Sequence, residues 1–136
     1  MVQSVKVALG VLVEDRGGGR CVLIARRPQG AVLGGFWELP GGKVEPDETL
    51  EECVRREFLE EVGLEVSVTG AMAAVEHTYD HAHVRLHAFV CARVSGEPAN
   101  LQVSEHRWVG PAELGDYTFP PANAPLMRHV EAVLEP

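Results

Sequence analysis

Three glutamates, Glu57, Glu60 and Glu61, stand at i, i+3 and i+4 in the run Arg56-Glu57-Phe58-Leu59-Glu60-Glu61-Val62-Gly63-Leu64. On a helix that spacing puts all three carboxylates on one face. Like charges so close repel and weaken the helix, and such a cluster is tolerated where a hard cation sits on it. Carboxylate oxygens suit Mg²⁺, or Mn²⁺ in its place, rather than zinc. For a bare Glu-x-x-Glu-Glu, an ordinary solvated acidic face is still the better reading. The neighbours add to the chemistry. Gly41-Gly42 lets the backbone approach a ligand or metal closely, and Arg26, Arg27 and Lys43 can offset charge on an anionic ligand, although Arg26 reads equally well as an ordinary surface cation after a strand. With metal present, water becomes acidic and phosphoryl oxygens are polarised, and a carboxylate can take the proton of the attacking water.

These residues need elements to hold them. Thr49-Leu50-Glu51-Glu52 has the form of a capping box, with Thr49 at the N-cap and Glu52 three residues on. The helix it opens runs to about Val62 and stops at Gly63. Leu50, Val54, Phe58 and Val62 form its apolar stripe. The glutamates lie beside that stripe, so their bases are partly covered. Upstream, Val5, Val7, Leu9, Val11 and Val13 alternate as in a strand, and Cys21-Val22-Leu23-Ile24-Ala25 reads as a second, buried strand. The turn Asp15-Arg16-Gly17-Gly18-Gly19 between them predicts a hairpin. Its glycines lack the Gly-Lys-Ser/Thr ending of a phosphate-binding P-loop. Residues 28–48 are loop-rich, with Phe36-Trp37-Glu38-Leu39 a short strand. Val66 to Val75, Val84 to Val94 and His106 to Val109 read as further strands. Ala122 to Leu134, after Pro120-Pro121, reads as a closing helix. Helices and strands mix without regular alternation, which predicts an α/β protein of the α+β type in one domain, residues 1–136.

Composition narrows the partners. Twelve Lys and Arg stand against twenty Asp and Glu among 136 residues, a net charge of -8. Such a surface repels DNA and RNA, so a nucleic-acid polymer is excluded as main partner. A small anionic ligand is compatible if a divalent cation offsets the charge. No apolar run reaches the ~18 residues of a spanning helix, and the N-terminus lacks a signal-peptide pattern, so no membrane partner is expected. Cys21, Cys53 and Cys91 are odd in number and form no Cys-x-x-Cys. That favours small hydrophobes in a reducing compartment, hence a cytoplasmic protein. His77, His81, His83 and His87 are all odd-numbered and can share a strand face. A zinc site on His81 and His83 is disfavoured because no nearby cysteine completes a set. Monomer and homodimer both stay open.

The wider spacing reverses the bland reading of the glutamates. Gly42, five residues, Glu48, seven residues, then Arg56-Glu57-apolar-x-Glu60-Glu61-x-Gly63-apolar matches the Nudix box. Seven fixed identities at ordinary residue frequencies coincide on the order of once in 10⁸ positions. Phe58, where the family usually has an aliphatic residue, is a departure that keeps the apolar stripe. Gly35-Phe36-Trp37-Glu38-Leu39-Pro40-Gly41-Gly42-Lys43 and Phe119-Pro120-Pro121-Ala122-Asn123-Ala124-Pro125 resemble the MutT-like branch of that family. The stretch His77-Thr78-Tyr79-Asp80-His81 is also similar to a segment of the Nudix-like domain fused to adenine glycosylases, but no glycosylase domain is present.

The resemblance implies a Nudix fold, a mixed β-sheet sandwiched between α-helices. It implies Mg²⁺-dependent hydrolysis of a nucleoside triphosphate to monophosphate and pyrophosphate, in nucleotide-pool sanitation, with 8-oxo-dGTP the leading substrate. By position, the Gly41 carbonyl, Glu57, Glu60, Glu61 and a further glutamate, Glu105, hold metal. Arg56, Glu57, Glu60, Glu61 and Glu105 form the catalytic set, with Arg56 orienting a box glutamate. Arg27 matches a phosphate-contacting arginine. Glu38, Lys43, Tyr79, Phe119 and Asn123 complete the substrate-binding set. For Asn123 the residues alone leave base recognition and helix capping near even, and the resemblance favours the base. Alternatives in the same family are a CTP hydrolase and a dinucleoside polyphosphate hydrolase, the latter suggested by Tyr79. A non-catalytic nucleotide-binding module is the alternative from another class, and retention of every box glutamate argues against it.

Overall fold

The computed structural model describes residues 3–80 and 82–135. Strand β1 (Gln3–Arg16) is its axis, and every residue from Ala8 to Leu12 is buried. Continuous burial belongs to a strand with a layer on each face. Leu9 and Val11 join one core, with Val22, Ile24, Leu86, Leu126 and Val130. Ala8 and Leu12 join the other, with Leu23, Val54, Phe58, Val62 and Phe89. Helix α1 (Leu50–Val62) closes the second core and helix α2 (Ala124–Leu134) the first.

The predicted hairpin is present. β1 turns into β2 (Gly19–Arg26) through Gly17 and Gly18, at φ 63° and 90°, with Arg16 facing Gly19. Two successive positive φ values give the tight turn that matches strand twist, and glycine adopts them freely. The remaining strands are β3 (Trp37–Glu38), β4 (Gly41–Lys43), β5 (Glu65–Ala71), β6 (Val75–Thr78), β7 (Ala82–Ser95) and β8 (Glu105–Val109). The sheet runs β3-β2-β1-β7-β5, with β4 also on β1, β6 on β7 and β8 on β2. β7 lies parallel to β1 from Gln3↔Ala82 to Leu12↔Cys91, and the other pairings are antiparallel. A mixed sheet between two helices is the expected fold class.

Three details differ from the sequence expectation. The strand read over Val66–Val75 is two strands. β5 pairs β7 from Phe89 to Ser95 and β6 pairs it from His83 to Leu86, with Met72–Ala74 crossing between. Val75 is buried in a core, so apolar character continues across the break and hides it. Gly41–Lys43 is a strand although glycine disfavours one. It pairs Val7–Leu9, and a side chain on Gly41 would collide with the Ala8 carbonyl oxygen. The closing helix opens as a 3₁₀ turn over Pro121–Asn123 and becomes α-helical only from Ala124.

Candidate active site

Helix α1 is fixed at both ends, and its fixed ends place Glu57 and Glu61. The Glu52 backbone N–H donates to Thr49 Oγ1 at 3.1 Å, and the Thr49 N–H donates to Glu52 Oε1 at 2.9 Å. This is the capping box the sequence predicts. At the other end Gly63 takes the left-handed conformation, φ 70°, and its N–H reaches the Leu59 carbonyl. The loop before β8 then satisfies the last carbonyls. Ala99 N–H donates to Val62 O at 2.9 Å, and Leu101 and Gln102 N–H groups donate to Glu61 O at 3.1 Å each.

Arg56 gathers the charges on the outer part of the cluster. Its Nε and Nη2 donate to Glu48 Oε2 and Oε1 at 2.6 and 3.0 Å, a bidentate pair. Its Nη1 donates to Glu57 Oε1 at 2.7 Å and to Glu60 Oε1 at 3.1 Å. The Arg56 guanidinium holds the Glu48 carboxyl down at about 2. One arginine thus balances part of the like-charge repulsion that the sequence flags.

Glu61 is the exception. It is only 7% exposed, and its Oε1 has no hydrogen-bond partner among the described residues. Burial first, then a hydrogen bond that its protonated form donates to Glu57, and the charges of Glu38 and Glu57, push its carboxyl far above the ordinary range. Glu38, on β3, is raised as well, chiefly by burial and against the pull of Arg27. Gly42 lies so close to Glu57 that an added Cβ would sit 2.8 Å from the Glu57 carboxyl carbon. A side chain there would displace the Glu57 carboxyl where β4 meets α1.

These groups open onto a cavity of ≈ 570 Å³. Arg27, Glu38, Gly41, Lys43, Glu57, Glu61, Tyr79 and Asn123 all line it, so most of the predicted site residues converge. Its floor crosses the sheet from β4 over Val7 and Leu9 of β1 to Leu86 and Val84 of β7. Two steps between neighbouring strands make about 10 Å, enough to separate a phosphate end from a heterocycle. Asn123 is 8% exposed, and its side chain makes no cap hydrogen bond.

Four predicted residues lie outside the cavity lining. Glu60 is solvent-exposed and turned to Arg56. Arg56 itself stands behind Glu57, to which its Nη1 donates. Glu105 begins β8, where Arg26 and Arg107 hold both its oxygens at 3.0 and 3.1 Å and keep its carboxyl below the usual range. Phe119 packs on the first core and lines a separate shallow groove with Leu114, Tyr117 and Met127. The residue this loop sends to the cavity is Gln102, three positions before Glu105. Sequence reasoning missed it because a lone glutamine carries no metal-ligand signal; its link to the site is a backbone bond to Glu61. Among the histidines, His83 Nδ1 pairs with Thr78 Oγ1 at 2.9 Å and His77 packs edge-on to Tyr79, while His81 lies outside the described residues.

The donor set fits a hard divalent cation. A buried, unpartnered carboxylate oxygen beside two further carboxylates is costly without positive charge. As arranged, no three His, Cys, Asp or Glu side chains among the described residues close on one point. Arg56 occupies Glu57 on its outer side. The carboxylates of Glu57 and Glu61 and the Gly41 carbonyl are the groups available to hold a cation.

Known proteins resemble this chain in sequence and fold. The family profile described as NUDIX domain matches residues 8–129. The CTP pyrophosphohydrolase of Escherichia coli (strain K12) is 36% identical over 110 residues, 79% of each chain. The 8-oxo-dGTP diphosphatase of the same organism is 30% identical over 130 residues, 96% of this chain and 98% of the relative. The crystal structure of the MutT protein from Methanosarcina mazei Go1 superposes with a TM-score of 0.82 at 25% identity, over 99% of this chain and 98% of that one. Nudix hydrolases generally use a divalent metal. With the box glutamates on α1, the mixed sheet between two helices and these relatives, the chain belongs to the Nudix hydrolase family, in its MutT-like branch, and is an enzyme acting on phosphoric anhydride bonds.

Proposed function

We propose that the chain, working as one Nudix domain, is a Mg²⁺-dependent pyrophosphohydrolase that cleaves a nucleoside triphosphate to monophosphate and pyrophosphate, with 8-oxo-dGTP as leading substrate. One observation carries the reading. A single cavity holds the unpartnered Glu61 carboxylate oxygen beside Glu57 and an Asn123 amide that makes no cap hydrogen bond, joined by an apolar floor. The first suits a cation carrying phosphates, the second the hydrogen-bonding edge of a base. Glu57, Glu61 and the Gly41 carbonyl would hold Mg²⁺, which when bound supplies polarisation of phosphoryl oxygens and a lowered water pKa. Lys43, at the cavity wall, faces the leaving phosphates as a point charge. The Asn123 amide offers two donors and one acceptor, enough to pair with a purine edge. Glu57 or Glu38 accepts the proton of the attacking water, both lining the cavity. The three cysteines are thiols, two of them buried, which supports a reducing, cytoplasmic setting.

A second reading is CTP as substrate. It is favoured by the 36% identity to a CTP pyrophosphohydrolase, and the same amide can pair with a cytosine edge. The test is a panel of 8-oxo-dGTP, dGTP, CTP, ADP-ribose and diadenosine polyphosphates, with products separated and kcat/KM compared. The highest kcat/KM for 8-oxo-dGTP, with pyrophosphate released, supports the proposal. A preference for CTP replaces the base assignment and keeps the reaction. No turnover of any nucleotide with Mg²⁺ removes both.

A further inference from the structure

Arg27 lies where a phosphate-contacting arginine is expected, yet its guanidinium is already engaged within the protein. Nε donates to the Val32 carbonyl at 2.7 Å and Nη1 to Glu38 Oε2 at 3.0 Å. Its backbone closes the same loop at both ends. Arg27 N–H donates to Phe36 O at 2.9 Å, and Gly35 N–H donates to Arg27 O at 3.0 Å. Residues 28–36 therefore fold back on Arg27, which ties their tip to a half-buried carboxylate of the cavity wall.

That tip is unusual in two ways. Val32 is 80% exposed and Leu33 44% exposed, although both are large and apolar and both line the cavity. Leu33 also stands at φ 57°, a left-handed conformation that a leucine adopts only when its surroundings impose it. An apolar lip held in a strained shape beside a cavity suits contact with a heterocycle or sugar, not with phosphate oxygens.

We infer that Arg27 is a positioning residue for substrate selectivity, a strut that holds the Ala31–Leu33 lip for the base-bearing half of the substrate, rather than a phosphate ligand. The inference rests on the nucleotide reading above. A forked guanidinium reaches two acceptors in different directions, whereas a lysine keeps the charge but offers one point. Arg27→Lys therefore separates the two roles, since a phosphate contact largely survives it and the strut does not.

The experiment compares wild type, Arg27→Lys and Arg27→Ala by calorimetry with Mg²⁺, using 8-oxo-dGMP and inorganic pyrophosphate as separate probes. Amide hydrogen exchange is followed alongside at Ala31, Gly34, Gly35 and Phe36, whose N–H groups bond within the loop. Both variants are expected to weaken 8-oxo-dGMP roughly tenfold through loss of a preordered contact, with pyrophosphate within about twofold. Exchange at the four amides is expected to speed at least about tenfold, as local opening becomes easier. Should Arg27→Ala fail to fold with Glu38 left unpaired, Arg27→Lys decides alone. Near wild-type affinity in Arg27→Lys, an equal loss for pyrophosphate, or unchanged loop exchange would each overturn the inference. If wild type binds no nucleotide, the functional proposal fails, and loop exchange alone then decides whether Arg27 is the strut.

Discussion

The two helices begin in opposite ways. Thr49 caps α1 from an extended backbone, φ -78° and ψ 163°, and its side chain folds back on the first turn. Asn123 precedes α2 at φ -85° and ψ -12°, already helical, because the 3₁₀ turn of Pro121–Asn123 runs straight into the helix. A side chain caps well only from non-helical backbone. Thr49 has spent its polar group on the fold, while the Asn123 amide makes no cap bond. The same division runs through the acids. Glu48 is gripped by Arg56, whereas Glu61 Oε1 has no partner. The contrast is one of degree, since Arg27, Glu38 and Glu57 also line the cavity yet are paired within the protein.

The largest expected effect breaks or confirms that division among the carboxylates. Glu57→Gln or Glu61→Gln should lower kcat by roughly 10²–10³, the scale of losing a main electrostatic element of a site. Glu60→Gln should cost no more than about tenfold, because Glu60 is exposed and tied to Arg56. Steady-state kinetics with circular dichroism as folding control gives the ranking. Full activity in a strong chelator would sink the division, since the unpartnered acid would then need no cation.

Next comes stability against pH. Glu61 holds its proton in the folded, metal-free protein well above the pH at which the unfolded chain releases it. The native state then binds more protons, so stability falls as pH rises from about 4.5 towards the folded pKa. The slope contributed is at most about 1.4 kcal/mol per pH unit. In chelator, wild type should lose stability between pH 5 and pH 8 (a window within the roughly 5–8 span where stability usually peaks), and Glu61→Gln should be flatter and more stable at the upper end. Saturating Mg²⁺ should reverse that order, because a cation favours the ionised acid and binds only the folded state. Parallel slopes for the two proteins in chelator would show that Glu61 is compensated by something else.

How much of this was legible in the sequence follows the same line. The capping box, the α1 stripe, the hairpin and the box glutamates were readable because each rests on local spacing. Glu60 and Glu61 are adjacent residues with equal claims by spacing. Only packing separates them, burying Glu61 and exposing Glu60. Gln102 lies in the loop three residues before Glu105, the first residue of β8, and the loop's backbone bonds to Glu61 bring Gln102 to the cavity. The strand at Gly41–Lys43 was unreadable for a related reason. Its glycines answer to close approach by Ala8 and Glu57, contacts distant in sequence.

The third test returns to Asn123. Asn123→Ala should reduce the preference for 8-oxo-dGTP over dGTP about tenfold, the size of one lost hydrogen-bonding contact. Stability should change little, because there is no cap bond to lose. A stability loss with the preference intact would make Asn123 a structural residue and erase the contrast between the helix starts.

The smallest effect comes from Thr49. Thr49→Ala removes the acceptor for Glu52 N–H and half of the reciprocal box. The expected loss is ~1 kcal/mol, or roughly 2–5 °C in Tm for a chain of this size. Thr49 lies a full eight residues before Glu57, on a helix whose C-terminal end is held independently by Gly63 and the 99–102 loop. Fraying at the first turn therefore need not reach the catalytic face. kcat and the base preference should stay within about twofold at 25 °C, well below the melting range of such domains. A loss of kcat comparable to that of Glu57→Gln would mean that α1 transmits its start to the site, and the capped end could no longer be counted as scaffold alone.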